Sequence, residues 1–252
     1  MCGLQIWRSG TLQSSVEEYY MPALGCLVYL AFSEWHLGET ASSQANIAEA
    51  ISLAKELNDP NALAYALGQA AALACAERKP AKVDRLTSDL IEFCTRHGFV
   101  HWLAIGAISR GWARSASGNT AEGIAWIEQG IRDYRAVGSV LGLPGRLARK
   151  AEALYLADRT PEALEAINEA EALAARFEQR NSSAELHWLR GVFLTAMGAD
   201  ETKIEASFCE AISTARQQKS VSLEKRAEAT YAEYRRQKAS GSGGREFRLP
   251  LW

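Results

Sequence analysis

The stretch HWLAIGAISRGWARSASGNTAEGIAWIEQGIRDYRAVG, residues 101–138, holds two helical runs on either side of Gly118 and repeats along the rest of the chain. In its second half Ile127, Ile131 and Tyr134 recur at spacings of three and four, the signature of one apolar helix face. Gly118 lies 80 residues from both Gly38 and Gly198, with Arg78 and Asp158 at the intermediate positions, so a turn recurs every 40 residues. Seven residues before each turn the column reads Ala31, Ala71, Gly111, Ala151, Gly191, and only small side chains let two helices approach closely. Twelve residues after the turn stand Ala50, Leu90, Gly130, Ala170 and, one residue late, Ala211. A parallel column runs Ile47, Thr87, Ile127, Ile167 and, again one late, Phe208, which places a one-residue insertion within Ala199 to Lys203. Each unit therefore reads as a helix, a tight turn and a second, antiparallel helix.

Asn58-Asp59-Pro60-Asn61, His97-Gly98, Val137-Gly138-Ser139 and Asn181-Ser182-Ser183 supply the stop and start chemistry between units. Glu185, three residues after Ser182, suggests a capping box. Working outward from 101–138, helices are expected at 24–37 and 41–57, 61–77 and 80–96, 100–117 and 120–136, 143–157 and 161–178, 183–197 and 202–217, then one at 221–237. A short helix, Leu12 to Tyr20, is expected before Pro22. The composition agrees: 43 alanines and only 6 prolines in 252 residues favour helix, and 48% hydrophobic residues suffice for a core.

Chemistry is harder to find. A net charge of -2 gives no overall basic field for nucleic acid or an anionic membrane. No run approaches the roughly 20 apolar residues a membrane helix needs, and the N-terminus lacks a secretory leader, so the expected location is the cytoplasm. The five cysteines show no C-x-x-C spacing, read as buried small hydrophobes, and predict neither disulfides nor a metal site. His97 and His101 are four apart, but Gly98 between them is expected to break the helix; His36 and His187 are isolated. The pairs Glu17-Glu18 and Glu169/Glu171 read as solvated, and Ser109 sits mid-helix without a nucleophile elbow. No catalytic residue, metal ligand or cofactor is predicted. Late in the chain Arg216, Lys219, Lys225, Arg226, Arg235, Arg236 and Lys238 interleave with Glu224, Glu228 and Glu233, a pattern read as a solvated helix face rather than a nucleic-acid strip.

The small–turn–small rhythm, clearest at Gly111, Gly118, Gly123, Ile127 and Gly130, resembles the tetratricopeptide repeat, although a period of 40 lies nearer HEAT-type lengths than the usual 34. The resemblance implies an all-α, right-handed solenoid of five helix pairs and a terminal helix. It also implies which first-helix positions tend toward the concave side. Those positions hold Phe32, Trp112 and Val192; Trp35, Cys75 and Tyr155; and Ile108, Ala148 and Trp188. Phe32, Trp35, Trp112, Tyr155 and Trp188 are the candidate partner-binding residues, for a protein segment or small ligand on the concave face, with core packing as the competing reading. Trp126, on a second helix, is assigned to core or convex surface.

A narrower resemblance rests on 101–138, on AELHWLRGVFL (184–194) and on EASFCEAISTARQQKSVSLEKRAEATYAEYRR (205–236). These are similar to the C-terminal repeats of large bacterial signalling proteins that carry an adenylate/guanylate cyclase domain and an AAA-related signal-transduction NTPase. The resemblance implies a sensing or docking arm. It implies neither activity here, since no G-x-x-x-x-G-K-[ST] phosphate loop occurs. The expected organisation is a remnant or cap at 1–22, a repeat domain at 23–238 and a flexible tail at 239–252. The expected role is a non-enzymatic interaction or sensing module, stand-alone or truncated; a regulator acting in trans on a separate cyclase or NTPase, or an inert gene fragment, are the alternatives.

Overall fold

The computed structural model describes residues 16–239, with side chains from Pro22 onward. Eleven α-helices occur among the described residues, and no strand. They are α1 (Val16–Leu37), α2 (Thr40–Glu56), α3 (Pro60–Ala76), α4 (Pro80–His97), α5 (Val100–Ala116), α6 (Thr120–Ala136), α7 (Leu143–Leu156), α8 (Thr160–Arg176), α9 (Ser183–Ala196), α10 (Glu201–Gln217) and α11 (Val221–Ala239). These are the five pairs and terminal helix expected from the 40-residue columns. The first helices α1, α3, α5, α7, α9 and α11 pack successively on one another, whereas no comparable contact joins successive second helices among the described residues. The first helices thus form the inner layer of a tetratricopeptide-like solenoid. The arc also closes, because α11 packs against α1.

The turns explain the period. Gly38, Arg78, Gly118, Asp158 and Gly198, the columns read from sequence, all have positive φ, between 59° and 96°. A second series ends the outer helices at Asn58, Gly98, Gly138, Glu178 and Lys219, again all with positive φ. A left-handed residue therefore stops the helix about every 20 residues, and glycine is only the least strained way to supply one. Proline in the first turn of α3, α4, α7 and α8 restarts the helix without losing a bonded N–H. The late column is explained at Asp200, the extra residue, whose side chain accepts from the Thr202 N–H at 3.0 Å and caps α10. Where a non-glycine residue carries the left-handed turn, strain of about 1 kcal/mol is stored. Glu178→Gly is accordingly expected to raise stability by about 0.5–1 kcal/mol, read from the urea midpoint at unchanged m-value.

The small columns are interhelical contacts. Ala31, Ala71 and Ala151 are fully buried, and Gly111 and Gly191 are buried as well. A Cβ on Gly191 would sit 2.9 Å from the Phe208 ring; on Gly130 it would sit 2.7 Å from Ile108 Cγ1. Glycine at 111 and 130 lets α5 and α6 approach almost backbone to backbone.

Three expectations change. The helix expected at 24–37 begins at Val16 and runs through Pro22, so no break separates the described part of 1–22 from the repeats. Leu12 to Ser15 of the expected short helix, and the expected mobility of Ser240 to Trp252, lie outside the described residues. Cys75 and Cys94 are buried as expected, but Cys26 and Cys209 are exposed: each falls off the inward stripe of its helix. Finally, Ser182 forms no side-chain cap, because it closes a short 3-10 turn, Arg180–Ser182, with φ of -96° and ψ of -5° instead of the extended geometry a cap needs; the Glu185 carboxylate turns inward to Arg78.

Candidate functional site

The inner layer converges on four charged side chains. Arg78 leaves its left-handed turn and turns its guanidinium inward, its side chain only 9% exposed. There Nη1 donates to Glu152 of α7, whose side chain is 2% exposed, and Nη2 donates to Glu185 of α9 at 3.0 Å. Arg226 enters from α11, donating through Nη2 to the Ala76 carbonyl at the end of α3, at 2.6 Å, with Nη1 3.4 Å from the same Glu185 oxygen. Charges are tolerated this deep only when each is paired and hydrogen-bonded.

Indole rings enclose the cluster. The Arg78 guanidinium lies 5.8 Å from the Trp112 ring centre and 5.0 Å from that of Trp188; Arg226 lies 5.8 Å from Trp35 and 5.5 Å from Trp188. The electron-rich ring faces stabilise both cations where water is scarce. The indole N–H groups are placed too: Trp112 donates to Glu152 at 3.3 Å and Trp188 to the Thr230 hydroxyl at 3.0 Å. Burial opposes the charge on Arg78, but Glu152 and Glu185 together hold its pKa above the ordinary value. Burial would raise the Glu185 carboxyl, yet Arg78, Arg226 and Arg149 hold it below its usual range. Burial, then Arg78, lower Arg226 to about 10, so it remains a cation at neutral pH.

The seam between the first and last helices borders this centre. His36 Nδ1 lies 2.7 Å from the Ser220 hydroxyl, and the Ser222 hydroxyl donates to the Trp35 carbonyl. Burial holds the pKa of His36 below 6.5, and that of His101 as well, with Arg226 and Arg146 adding to the respective effects. Between the folded and unfolded pKa values the unfolded chain binds more protons. The stability these rings contribute is therefore full above the unfolded value and declines as pH falls through their lower folded values. Unfolding free energies measured from about pH 7.5 down to about pH 5 are expected to fall, with part of the slope lost in His36→Asn.

Of the residues expected on the concave side, Trp35, Trp112 and Trp188 meet around the ion cluster at 6%, 1% and 2% exposure. Tyr155 belongs to the same inner layer, but its ring stacks on Phe193 with centroids 5.2 Å apart. Phe32 is half-buried against the core at the α1 end. Cys75, Ile108, Ala148 and Val192 are buried with them. Trp126 is half-buried on α6 beneath Arg110, away from this centre. Gly98, with φ of 69°, breaks the helix between His97 and His101; the former ring stacks on Phe93 and Phe99, and the latter contacts Ser139 and Tyr134.

Three of the four charged residues of the centre had a more ordinary reading in the sequence. Arg78 stands in a glycine column, Glu185 in a capping-box position and Arg226 in a run of surface charge; Arg226 is the correction to that solvated face, since it alone of the run points inward. Its neighbours keep their surface pairs: Arg216 with Glu224 and Glu228, Arg236 with Glu233. Glu152 carried a usable signal: it occupies the column of Phe32, Trp112 and Val192, where a carboxylate requires a buried partner.

Known proteins share this fold. No protein-family model matches the chain. An uncharacterized protein of Rhizobium meliloti (strain 1021) is 26% identical over 198 residues, 79% of this chain; the chain spans about a fifth of that protein's length, 19%. Among solved structures, Bacillus thuringiensis PlcR in complex with the peptide PapR7 and DNA superposes with a TM-score of 0.66 at 15% identity, covering 88% of this chain and 76% of that one. The apo form of RapI gives 0.61 at 12% identity, covering 94% and 91%. Aspartyl phosphate phosphatase F of Bacillus subtilis gives 0.58 at 12% identity, covering 94% and 64%. At these identities the likeness is one of fold: the chain shares the tetratricopeptide-like helical-repeat architecture of these proteins.

Proposed function

We propose that the chain is a non-enzymatic interaction or sensing module that takes a peptide or protein segment on its inner face, next to Phe32, Trp35, Trp112, Tyr155 and Trp188. The observation that carries this reading is the convergence of three tryptophans from α1, α5 and α9 around one ion cluster. Large rings and arginines held in fixed positions are the side chains that dominate recognition energetics. PlcR, whose structure holds the peptide PapR7, supports the reading through a shared fold. Alignment to a fifth of a larger protein is consistent with a repeat arm of a longer chain; a multidomain signalling protein of the cyclase–NTPase class is the context we propose for it. The proposed location is the cytoplasm, with no membrane or nucleic-acid partner.

The test is binding of the full chain to arrayed peptides, followed by variants. Trp112→Phe keeps a ring over Arg78 but removes the indole N–H, and Tyr155→Leu keeps apolar volume. Each is expected to weaken binding by about 1–2 kcal/mol while circular dichroism is unchanged. Equal binding by both folded variants would place the recognition surface elsewhere.

A further inference from the structure

The two ends of the solenoid are finished differently. On the last helix the outward residues are charged: Lys225, Glu228, Arg235 and Arg236 of α11 are exposed, the polar face that the end of a repeat stack needs in water. On the first helix they are not. Pro22, Cys26, Tyr29 and Ser33 form one exposed stripe of α1 at helical spacing, and Tyr29 is 73% exposed. No charged residue stands between Pro22 and Ser33; the next one, Glu34, is turned to α2, where it accepts from Ser42 and Asn46, each at 2.7 Å. Even the Ser33 hydroxyl is satisfied within the helix, donating to the Tyr29 carbonyl at 2.8 Å.

In later units the same positions are covered. The column of Ser33 continues as Leu73, Ala113, Ala153, Phe193 and, one residue late, Tyr234, all buried. In the columns of Cys26 and Tyr29 no later member is exposed. What covers them is the unit before, since each later first helix packs against the preceding first and second helices. A Cβ at Gly106, in the column of Cys26, would sit 3.0 Å from Ile91 and 3.3 Å from Leu90 of α4. Among the described residues α1 has no helix before it, and α11 with its entry turn meets α1 at Trp35, His36 and Gly38, past the end of the stripe. The stripe is a stacking face without its neighbour.

We propose that the Pro22–Ser33 face of α1 is the contact between two copies of this chain, an isologous pair in which the other copy's α1 stands where the preceding unit stands in the rest of the solenoid. The stripe is symmetric about the midpoint of Leu27 and Val28. A two-fold axis there sets the two α1 helices antiparallel, with each Tyr29 on the other copy's Cys26 and each Ser33 on the other copy's Pro22. A large ring meets a small side chain on both sides of the axis, and no charge is taken out of water. The charged outer face of α11 does not match an uncharged stripe, which opposes a head-to-tail filament and leaves a closed pair. Phe32 and Trp35 lie off the stripe, so the inner face is not part of this contact. One helix per copy buries less than a standard interface, and the association is expected to be weak.

Sedimentation equilibrium of the full chain from about 1 to 500 μM is expected to pass from one copy to two and no further. Tyr29→Glu sets two like charges close to the two-fold axis and is expected to raise Kd at least about tenfold. Its circular dichroism should be unchanged, because Tyr29 already lies mostly in water; Ser33→Lys repeats the test from the end of the stripe. Thiol labelling, read by mass spectrometry of the peptides, locates the contact. Cys26 is expected to lose reactivity as pairs form, relative to Cys209, an exposed thiol on α10, and to regain it in Tyr29→Glu. A single copy throughout the series, or pairing that survives Tyr29→Glu or leaves Cys26 reactive, would overturn the proposal. Cys26 protected at every concentration in a single copy would assign the face to residues 1–15 of this chain, and would overturn it too.

Discussion

Glu152→Ala is expected to lower the unfolding free energy by about 3–5 kcal/mol, because it strips a buried cation of its closest counter-charge. Arg78 is enclosed on all sides, with Glu152 and Glu185 as its carboxylate partners, and Glu185 already serves Arg226. Removing Glu152 also leaves the Trp112 N–H without the acceptor it uses. Truncating one partner costs more than removing both, since two apolar side chains of similar volume need no desolvation compensation. The double variant Arg78→Met with Glu152→Met is therefore expected to be more stable than Glu152→Ala alone. Urea unfolding of Arg78→Met, Glu152→Met and the double variant gives the coupling energy directly. A cost below about 1 kcal/mol for Glu152→Ala would mean that water, not this carboxylate, solvates Arg78.

Gly111→Leu is expected to cost at least about 3 kcal/mol, the upper range for overpacking, because the obstruction is backbone. The first carbon of any side chain at 111 would meet the Gly123 carbonyl, with Ile127 N at 2.9 Å and Ile127 Cγ1 at 2.7 Å. A flexible side chain could rotate away; a helix backbone moves only if α5 and α6 separate. Gly25→Ala is the matched control. Nothing lies within 4 Å of a Cβ there, and the position is helical, so a gain of about 0.5–1 kcal/mol from helix propensity is expected. A melting curve for Gly111→Leu that matches the wild type would remove the small column as the determinant of pair spacing.

Both predictions trace to the same 40-residue columns, yet the columns reported on them unequally. Gly111 announced its role by composition, since a helix-destabilising residue inside an otherwise strong helical run needs a packing reason. Arg78 did not. Its φ of 60° places it in register with Gly38 and Gly118, and the sequence recorded only that the column tolerates a non-glycine residue there. That the same residue sends its side chain to α7 and α9 depends on how tightly the arc curls.

Helix number, pairing and turn positions were fixed by local rules: spacings of three and four, left-handed turn residues and small contacts recurring at one period; the inner placement of Trp35, Trp112 and Trp188 was implied only by the resemblance to the tetratricopeptide repeat. Those rules act within a unit or between neighbours and are written along the chain. The closure of α11 on α1 and the meeting of Arg78, Glu152, Glu185 and Arg226 were decided only by tertiary structure. Such contacts span 74, 107 and 41 residues, and they depend on small rotations accumulated from pair to pair. A charge pair across that distance leaves no periodic mark in the sequence, and Arg78, Glu185 and Arg226 each satisfy a local rule on their own; only Glu152 breaks one.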